Sequence, residues 1–254
     1  LNAGLAVLAL SALVSLSVTP TQASESKESL PTREWSFNGM FGTFDRGSLQ
    51  RGLQVYKEVC AGCHGLSLVY YRNLAGLGYT EDQIKAFAAE SEVEDGPNDE
   101  GEMYMRPAKP FDRFVNPFPN NMAARAGNGG SLPPDLSLIV EARKGGPNYL
   151  YNLMIGYGDA PSGVTVMEGM SYNAFYPGHQ IAMPSPLSDD AVEYADGTKA
   201  TVAQMSRDVT TFLTWASEPN MEERKSMGIK VLLFLIVLTG MLIAVKKKIW
   251  ADVH

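Results

Sequence analysis

The residues that could carry chemistry stand together in one motif: Cys60, Ala61, Gly62, Cys63 and His64. The C-x-x-C-H spacing is the attachment signature of a c-type haem. Two cysteines three positions apart on a helical turn can each form a thioether bond with a vinyl group of one porphyrin. The imidazole beside the second cysteine then lies under the ring, where it can bind the iron. The motif therefore predicts one covalently attached haem c.

Other uses of a C-x-x-C pair compete with haem attachment: a redox motif, half of a zinc site, or a disulfide. A zinc site would need a second ligand pair, yet Cys60 and Cys63 are the only cysteines in the chain. A thioredoxin-type motif would need a βαβ frame, and the surrounding pattern does not predict one. Haem attachment is therefore the favoured interpretation.

The composition restricts the class of protein around this motif. The 254 residues are 45% hydrophobic and include 24 glycines and 15 prolines, so we expect a loop-rich body rather than a helical bundle. The net charge of −7 argues against a nucleic-acid partner and favours a cationic one. Bacteria attach c-type haem outside the cytoplasmic membrane, so we expect an exported protein.

The N-terminal segment also predicts export. Residues 1–18 are almost wholly apolar or small, and Thr21-Gln22-Ala23 precedes a polar run. This pattern is typical of a secretory signal peptide over residues 1–23, cleaved after about Ala23. An uncleaved anchor is the alternative, although the apolar run is shorter than a typical span of ~20 residues.

The C-terminal segment predicts one transmembrane helix. Residues 227–245 are predominantly apolar with Lys230 as the only charged residue, and three lysines follow at positions 246–248. That length suits a single membrane span, whereas a buried core helix is the alternative. By the positive-inside rule, the lysines lie in the cytoplasm and the haem domain, residues 24–220, lies in the periplasm. Residues 221–254 then comprise an interfacial segment, the span and a short cytoplasmic tail.

Hydrophobic periodicity predicts the elements that would position the motif. A helix over residues 47–59, capped by Asp45 or Ser48, would deliver the cysteines and His64 to the haem. The helix at 201–215 is expected to close the haem domain against this first helix. Further short helices are predicted over residues 80–90, 121–126, 136–143 and 149–157.

Residues 90–102 form an acidic segment without a basic residue. One interpretation is a solvated, mobile acidic loop. The other is a docking or steering surface for a cationic electron acceptor, and both can hold.

An electron carrier would need a sixth iron ligand opposite His64. The chain has 12 methionines, so a lone methionine is weak evidence and core filler is its default role. Met183 stands out because its proline-punctuated loop, IAMPSPL, can bring a thioether against the opposite haem face. Met170 is the second candidate by position, and His179 would give bis-histidine ligation. His254 is excluded because the predicted topology places it across the membrane.

Residues 39–79, GMFGTFDRGSLQRGLQVYKEVCAGCHGLSLVYYRNLAGLGY, resemble the opening of the cytochrome c1 family, the membrane-anchored c-type haem subunit of the cytochrome bc1 complex. The resemblance runs from about Trp35 to Trp250, and its motifs keep the family order. It implies a mainly α protein, with a class I cytochrome c-like haem domain, long loops and one C-terminal transmembrane helix.

The resemblance also implies site residues. The AAR-x-x-N-x-G and PPDLS elements resemble the family stretch that wraps one haem face, which selects Asn128 and Pro134. Arg143 and Tyr149 fall where the family's haem-propionate contacts occur, and a buried propionate needs such donors. Without the resemblance, Arg143 would be interpreted as a solvated cation at a helix end. The PG-x-x-I-x-M-P element again selects Met183.

Three departures from the family pattern are visible. Gly65 follows the ligand where serine is usual, and the acidic segment is not a general family element. Some bacterial relatives carry an extra cysteine pair that this chain lacks, so packing alone would hold the Met183 loop.

For function, the resemblance implies a one-electron relay in the bacterial inner membrane, from the Rieske iron–sulfur protein to a basic soluble or tethered cytochrome c. The chain would serve a quinol-oxidising complex with cytochrome b, dimeric by resemblance, and would itself perform no bond chemistry. Two alternatives are the c-type haem subunit of a terminal oxidase, and a haem enzyme or sensor with a labile sixth ligand.

Overall fold

The protein is described from a computed structural model that covers residues 30–252. The proposed signal peptide, residues 1–23, and His254 lie outside the described residues. The described part is mainly helical, as expected, and contains two short antiparallel hairpins. The α-helices are α1 (Arg46–Val55), α2 (Glu81–Ala89), α3 (Asn121–Gly127), α4 (Gly146–Ile155), α5 (Val202–Ser217) and α6 (Met221–Ile249).

Helices α1 and α5 pack against each other at the centre of the fold, as predicted. Asp45 caps α1 by accepting a hydrogen bond from the Ser48 backbone N–H at 2.6 Å. Glycine is required at position 52, because a Cβ there would lie 2.1 Å from the Asp208 carbonyl oxygen on α5. The close approach lets the two helices bury a shared apolar face, which includes Leu53 and Phe212.

A buried ion pair crosses the α1–α5 contact. Asp208 is fully buried, and its carboxylate accepts hydrogen bonds from Arg51 Nε at 2.9 Å and Arg51 Nη2 at 3.1 Å. Gln204 donates a further bond to Asp208 at 2.9 Å. On its exposed side Arg51 also pairs with Asp196 at 2.7 Å. These bonds satisfy a buried carboxylate that would otherwise be costly to desolvate.

Two shorter helical elements follow α1. A π-helical turn, Tyr56–Cys60, continues α1 directly into the motif. The 3-10 helix Tyr71–Leu77 precedes α2, where Thr80 forms a capping box with Gln83.

The acidic segment, residues 90–102, is not a loop throughout. Strand β1 (Glu92–Asp95) pairs antiparallel with β2 (Tyr104–Pro107), in a register that places Val93 opposite Arg106. Glu92 and Glu94 are exposed while Val93 is half-buried against the core. This alternation buries one face of β1 although most of its residues are charged. The acidic composition of the segment did not predict a strand.

Arg106 secures this hairpin. Its guanidinium pairs with Asp95 across the two strands and with Asp112 at 2.6 Å in the following turn. The side-chain bonds to Asp112 and then to Asp95 raise the pKa of Arg106. The acidic side chains are therefore presented by an ordered element.

Residues 136–143 form a series of turns, although a helix was predicted there. The Asp135 carboxylate accepts a hydrogen bond from the Ser137 backbone N–H at 2.8 Å, which offers this backbone an alternative to a helix. The turns lead into α4, which begins at Gly146 and spans most of the predicted 149–157 helix. Helix α3 matches its prediction within one residue.

The second hairpin pairs β3 (Ser171–Tyr172) with β4 (Gln180–Ile181). After α5, helix α6 runs without interruption through the interfacial segment and the predicted span. Among the described residues, α6 is the helix long and apolar enough to cross a membrane, and its most apolar window has a mean hydropathy of 2.6 with none of it buried. Positions 246–248, all lysine, lie in its last turn.

Candidate haem site

The C-x-x-C-H residues occupy one turn that follows the π-helical end of α1. The backbone N–H groups of Cys63 and His64 donate to the Cys60 carbonyl at 3.1 Å and 2.9 Å. The Tyr56 hydroxyl donates to the His64 carbonyl at 3.0 Å, which ties the end of the motif to α1. This turn therefore groups two thiols and one imidazole, as the spacing predicted.

The two cysteines have different environments. Cys60 is half-buried against the core, whereas Cys63 is exposed. Burial, followed by the neighbouring Cys63, raises the pKa of the Cys60 thiol to about 12. Residues 30–252 contain no group of three or more histidine, cysteine or acidic side chains placed to hold a metal ion.

His64 is oriented by a contact 70 positions along the chain. Its Nδ1 lies 2.7 Å from the Pro134 carbonyl oxygen, to which a protonated Nδ1 donates. Burial lowers the pKa of His64, although the Pro134 bond and the Asp135 carboxylate act in the opposite direction. A neutral imidazole with Nδ1 committed to a carbonyl has Nε2 available to bind iron.

A set of hydrogen bonds joins residues 65–68 to residues 135–137; we call it the proximal clasp. Leu136 N–H donates to the Gly65 carbonyl at 2.9 Å, Ser67 N–H donates to Asp135 Oδ2 at 2.8 Å, and Leu68 N–H donates to Ser137 Oγ at 3.0 Å. These bonds keep the Pro134 carbonyl in place under the imidazole. Desolvation raises the pKa of Asp135, but the bonds from Ser137 and Ser67 outweigh it and hold that pKa below its usual value.

Met183 lies half-buried at the edge of the same core that Cys60 contacts. Its backbone carbonyl accepts a hydrogen bond from the Tyr157 hydroxyl at 3.2 Å. We define the Met183 loop as residues 182–187, which follow the buried Ile181 and end at the buried Leu187. The loop borders an open cleft of about 390 Å³, which is lined by Tyr157, Gly158, Ser171, Tyr172 and Ser185.

Asn173 fixes the hairpin that precedes the Met183 loop. The residue is fully buried, and its amide donates to the Leu153 carbonyl of α4 at 2.7 Å. Its Oδ1 accepts from the backbone N–H groups of Phe175 and Tyr176 at 3.0 and 3.1 Å. The hairpin is thereby attached to the C-terminal part of α4.

The competing sixth ligands occupy this same hairpin region. Met170 is half-buried just before β3. His179 is exposed, has a positive φ of 58°, and stacks on the Tyr172 ring.

The other predicted site residues fall into two places. Arg143 is exposed and lies near the buried Tyr149. Burial raises the pKa of Tyr149, and the positive charge of Arg143 acts in the opposite direction. Asn128 instead closes α3, because its side-chain amide donates to the Ala124 carbonyl at 2.7 Å.

Sequence reasoning missed three supporting residues: Tyr157, Asp135 and Asn173. Asp135 stands inside the PPDLS element, where an aspartate two residues before a serine is a known turn signal. Asn173 precedes a Pro-Gly turn and had a weaker signal of the same kind. Tyr157 had no local signal, since its partner is 26 positions away.

The donor set fits a c-type haem. Two cysteine sulfurs and an oriented, neutral imidazole share one turn, and a thioether lies at the edge of the same core. The sulfur and imidazole groups are those that bind porphyrin vinyls and haem iron. A mainly helical domain with this site, followed by a long apolar helix, has the features of an anchored c-type haem protein.

Comparison with known proteins agrees with this class. The sequence matches the Cytochrome C1 family over residues 35–253. It is 49% identical to "Cytochrome b/c1" of Bradyrhizobium diazoefficiens over all of this chain, which spans 40% of that relative's length. It is 56% identical to "Cytochrome c1-2, heme protein, mitochondrial" of Solanum tuberosum, covering 84% of this chain and 82% of the relative.

A bacterial relative is matched almost end to end. "Cytochrome c1" of Rhodospirillum rubrum is 50% identical over 91% of both chains. The chain therefore belongs to the cytochrome c1 family, the haem subunits of the bc1 complex.

Proposed function

We propose that this chain is a membrane-anchored one-electron carrier whose haem c is attached through Cys60 and Cys63 and ligated by His64 and Met183. The observation that carries the proposal is the hydrogen bond between His64 Nδ1 and the Pro134 carbonyl at 2.7 Å. This bond sets the tautomer and the direction of the imidazole, which leaves Nε2 as the nitrogen that would bind iron. Membership in the cytochrome c1 family supports the cofactor.

When bound, the haem supplies one iron that gains and loses a single electron, with no substrate bond made or broken. His64 is held by the proximal clasp, and Met183 is held through the Tyr157 hydroxyl. Met183, as a thioether ligand, would favour the ferrous state and raise the reduction potential. Arg143 and Tyr149 would donate hydrogen bonds to the propionates, while Pro134 and Asn128 would shape the segment that wraps one haem face.

The electron is proposed to arrive from the Rieske iron–sulfur protein and to leave to a basic soluble or tethered cytochrome c. The support for the acceptor is the acidic hairpin, which we define as residues 92–107. Its exposed acidic side chains are Glu92, Glu94, Asp99, Glu100 and Glu102. A fixed negative surface raises the encounter rate of a cationic partner and gives weak, fast, salt-sensitive docking.

The proposed topology rests on α6. Its final lysines, positions 246–248, support a cytoplasmic C-terminus by the positive-inside rule. The haem domain then faces the periplasm of a bacterium, with α6 in the inner membrane beside cytochrome b in a dimeric complex. The bacterial relatives named above support the single-pass anchor.

Electron transfer from the purified complex to a basic cytochrome c tests the relay. We expect the second-order rate to fall steeply as ionic strength rises. Glu92→Gln should lower the rate at low salt, whereas Glu168→Gln, an exposed acid outside the hairpin, should leave it unchanged. A rate independent of salt would contradict the electrostatic docking.

The partners and the attachment have their own tests. Co-purified b-type haem and a Rieske protein would support the quinol-oxidising complex, whereas copper and oxygen reduction would indicate a terminal oxidase. A haem stain of the denatured chain should be retained in the wild type and lost when both Cys60 and Cys63 are serine. Loss of stain from the denatured wild type would rule out thioether attachment.

A further inference from the structure

An apolar loop at the foot of α6 is not used by the proposed relay. Residues 36–43, which we call the 36–43 loop, are closed at their base by a hydrogen bond from Thr43 N–H to the Ser36 carbonyl at 3.1 Å. At the tip, Met40 is 57% exposed and Phe41 is 80% exposed. Single exposed apolar residues are common on protein surfaces. Exposure alone therefore does not indicate a binding partner for Met40 and Phe41, and their position in the fold has to be considered.

The tip is held by a rigid, buried base. Trp35, Phe37 and Phe44 are each nearly fully buried, with ring centroids 5.4 Å apart for Trp35 and Phe37 and 5.3 Å apart for Phe37 and Phe44. Glycine is needed at position 42, because a Cβ there would lie 2.1 Å from the Asn38 carbonyl oxygen. The aromatic base therefore enters the core while the turn directs Met40 and Phe41 outward.

The loop is tied to the beginning of α6. Lys225 Nζ donates to the Phe37 carbonyl at 2.6 Å and to the Gly42 carbonyl at 3.1 Å. Glu222 accepts a bond from Phe44 N–H at 2.7 Å and pairs with Arg46 at 2.6 Å. These contacts span the first turn and a half of α6, so the loop and the helix form one unit there.

The position of Lys225 along α6 indicates how deep the 36–43 loop would lie relative to a membrane. Lys225 precedes Met227, where the apolar run begins, by two residues, or about 3 Å along a helix. The headgroup region on each side of a bilayer is roughly 5–7 Å thick. A loop bonded to Lys225 therefore lies within the headgroup region when α6 spans the bilayer.

We propose that Met40 and Phe41 insert into the membrane surface, where headgroups meet acyl chains, as a second lipid contact beside α6. The inference rests on α6 being the proposed span. Lys225, Phe41 and Met40 together would resemble an interfacial anchor, with a cation at the headgroups and apolar side chains below them. Attachment at two points limits how far the haem domain can tilt on its single helix.

Photocrosslinking from the loop tip tests the inference. The full chain, purified with its partner subunits and placed in phospholipid nanodiscs, would carry p-benzoylphenylalanine at one site per variant. Phe41 is the test site, Phe234 in the apolar run is the positive control, and Phe111 beside the acidic hairpin is the negative control. All three phenylalanines are more than half exposed, so the probe should not disturb the core.

We expect mass spectrometry to identify lipid adducts at positions 41 and 234 and to find none at position 111. If position 234 gives lipid adducts but position 41 gives adducts to another polypeptide, or none, the inference about the loop is overturned. The lipid adducts at position 234 would still support α6 as the membrane span. Absence of lipid adducts at position 234 would instead overturn the span itself. The two failures are therefore distinguishable.

Discussion

The two sides of the proposed haem are held in different ways. On the His64 side, the motif continues from α1, which is locked to α5 by a buried ion pair, and the proximal clasp joins residues 65–68 to 135–137. On the other side, Met183 lies in a six-residue loop, and the Tyr157 hydroxyl donates a hydrogen bond to the Met183 backbone carbonyl. The difference indicates a fixed attachment side and a more easily perturbed thioether side.

This division suits an electron carrier in physical terms. Covalent attachment and ligation by the imidazole would need a preformed geometry, and the hydrogen bonds on the His64 side provide it. A thioether bond from Met183 to iron would be the weaker attachment, so small changes in the Met183 loop are expected to alter ligation and potential without unfolding the domain. Variants on the two sides should therefore separate stability from ligation.

The largest effect is expected from breaking the α1–α5 ion pair. Asp208→Asn leaves the Arg51 guanidinium, only 17% exposed, without its buried carboxylate, and should lower the free energy of unfolding by about 3 kcal/mol. The matched control is Asp196→Asn, which removes the exposed partner of the same arginine and should cost under about 1 kcal/mol. Denaturant unfolding of both variants measures the difference, and equal losses would contradict the account.

A smaller effect is expected on the thioether side. Tyr157→Phe removes the hydrogen bond to the Met183 carbonyl, worth about 1 kcal/mol. Exogenous imidazole, which competes with the thioether for iron, should then bind with about fivefold higher apparent affinity. Tyr176→Phe, a half-buried tyrosine nearby, should leave the imidazole affinity unchanged. An unchanged affinity in Tyr157→Phe would show that the hydroxyl does not hold the loop.

The smallest effect concerns pH on the His64 side. The pKa of Asp135 is lowered in the folded protein, so its carboxylate stabilises the fold above the unfolded pKa of about 3.9 and this contribution is lost as pH falls through the folded pKa. Asp135→Asn should therefore be less stable than wild type at pH 6, with the gap closing below about pH 4. A stability difference between wild type and Asp135→Asn that stays constant across this pH range would contradict the role given to the Asp135 carboxylate. Asp99→Asn, at an exposed acid, serves as the control variant.

Local signals predicted much of this structure. Helices over residues 80–90 and 201–215 were expected, and Thr80 and Thr201 cap them by accepting hydrogen bonds from the backbone N–H groups of Gln83 and Gln204. The C-x-x-C-H spacing predicted the turn that groups the two thiols and the imidazole. These features depend on residues a few positions apart, which is why a single sequence carries them.

Features that depend on distant partners escaped prediction. Arg51 and Asp208 are 157 positions apart, and no local pattern marks an acid on α5 as buried. The acidic strand β1 has few β-forming residues, and its partner β2 begins nine residues later. Resemblance to a family selected Pro134, but its contact with His64 was not predicted, because the contact joins segments 70 positions apart.

The most direct test of the account is the response of the reduced protein to carbon monoxide in Met183→Leu and Met170→Leu. We predict that wild type and Met170→Leu leave the gas unbound, because iron is six-coordinate, while Met183→Leu binds it and has a lowered reduction potential. Carbon monoxide binding by wild type, or by Met170→Leu but not Met183→Leu, would contradict His64 and Met183 as the axial pair.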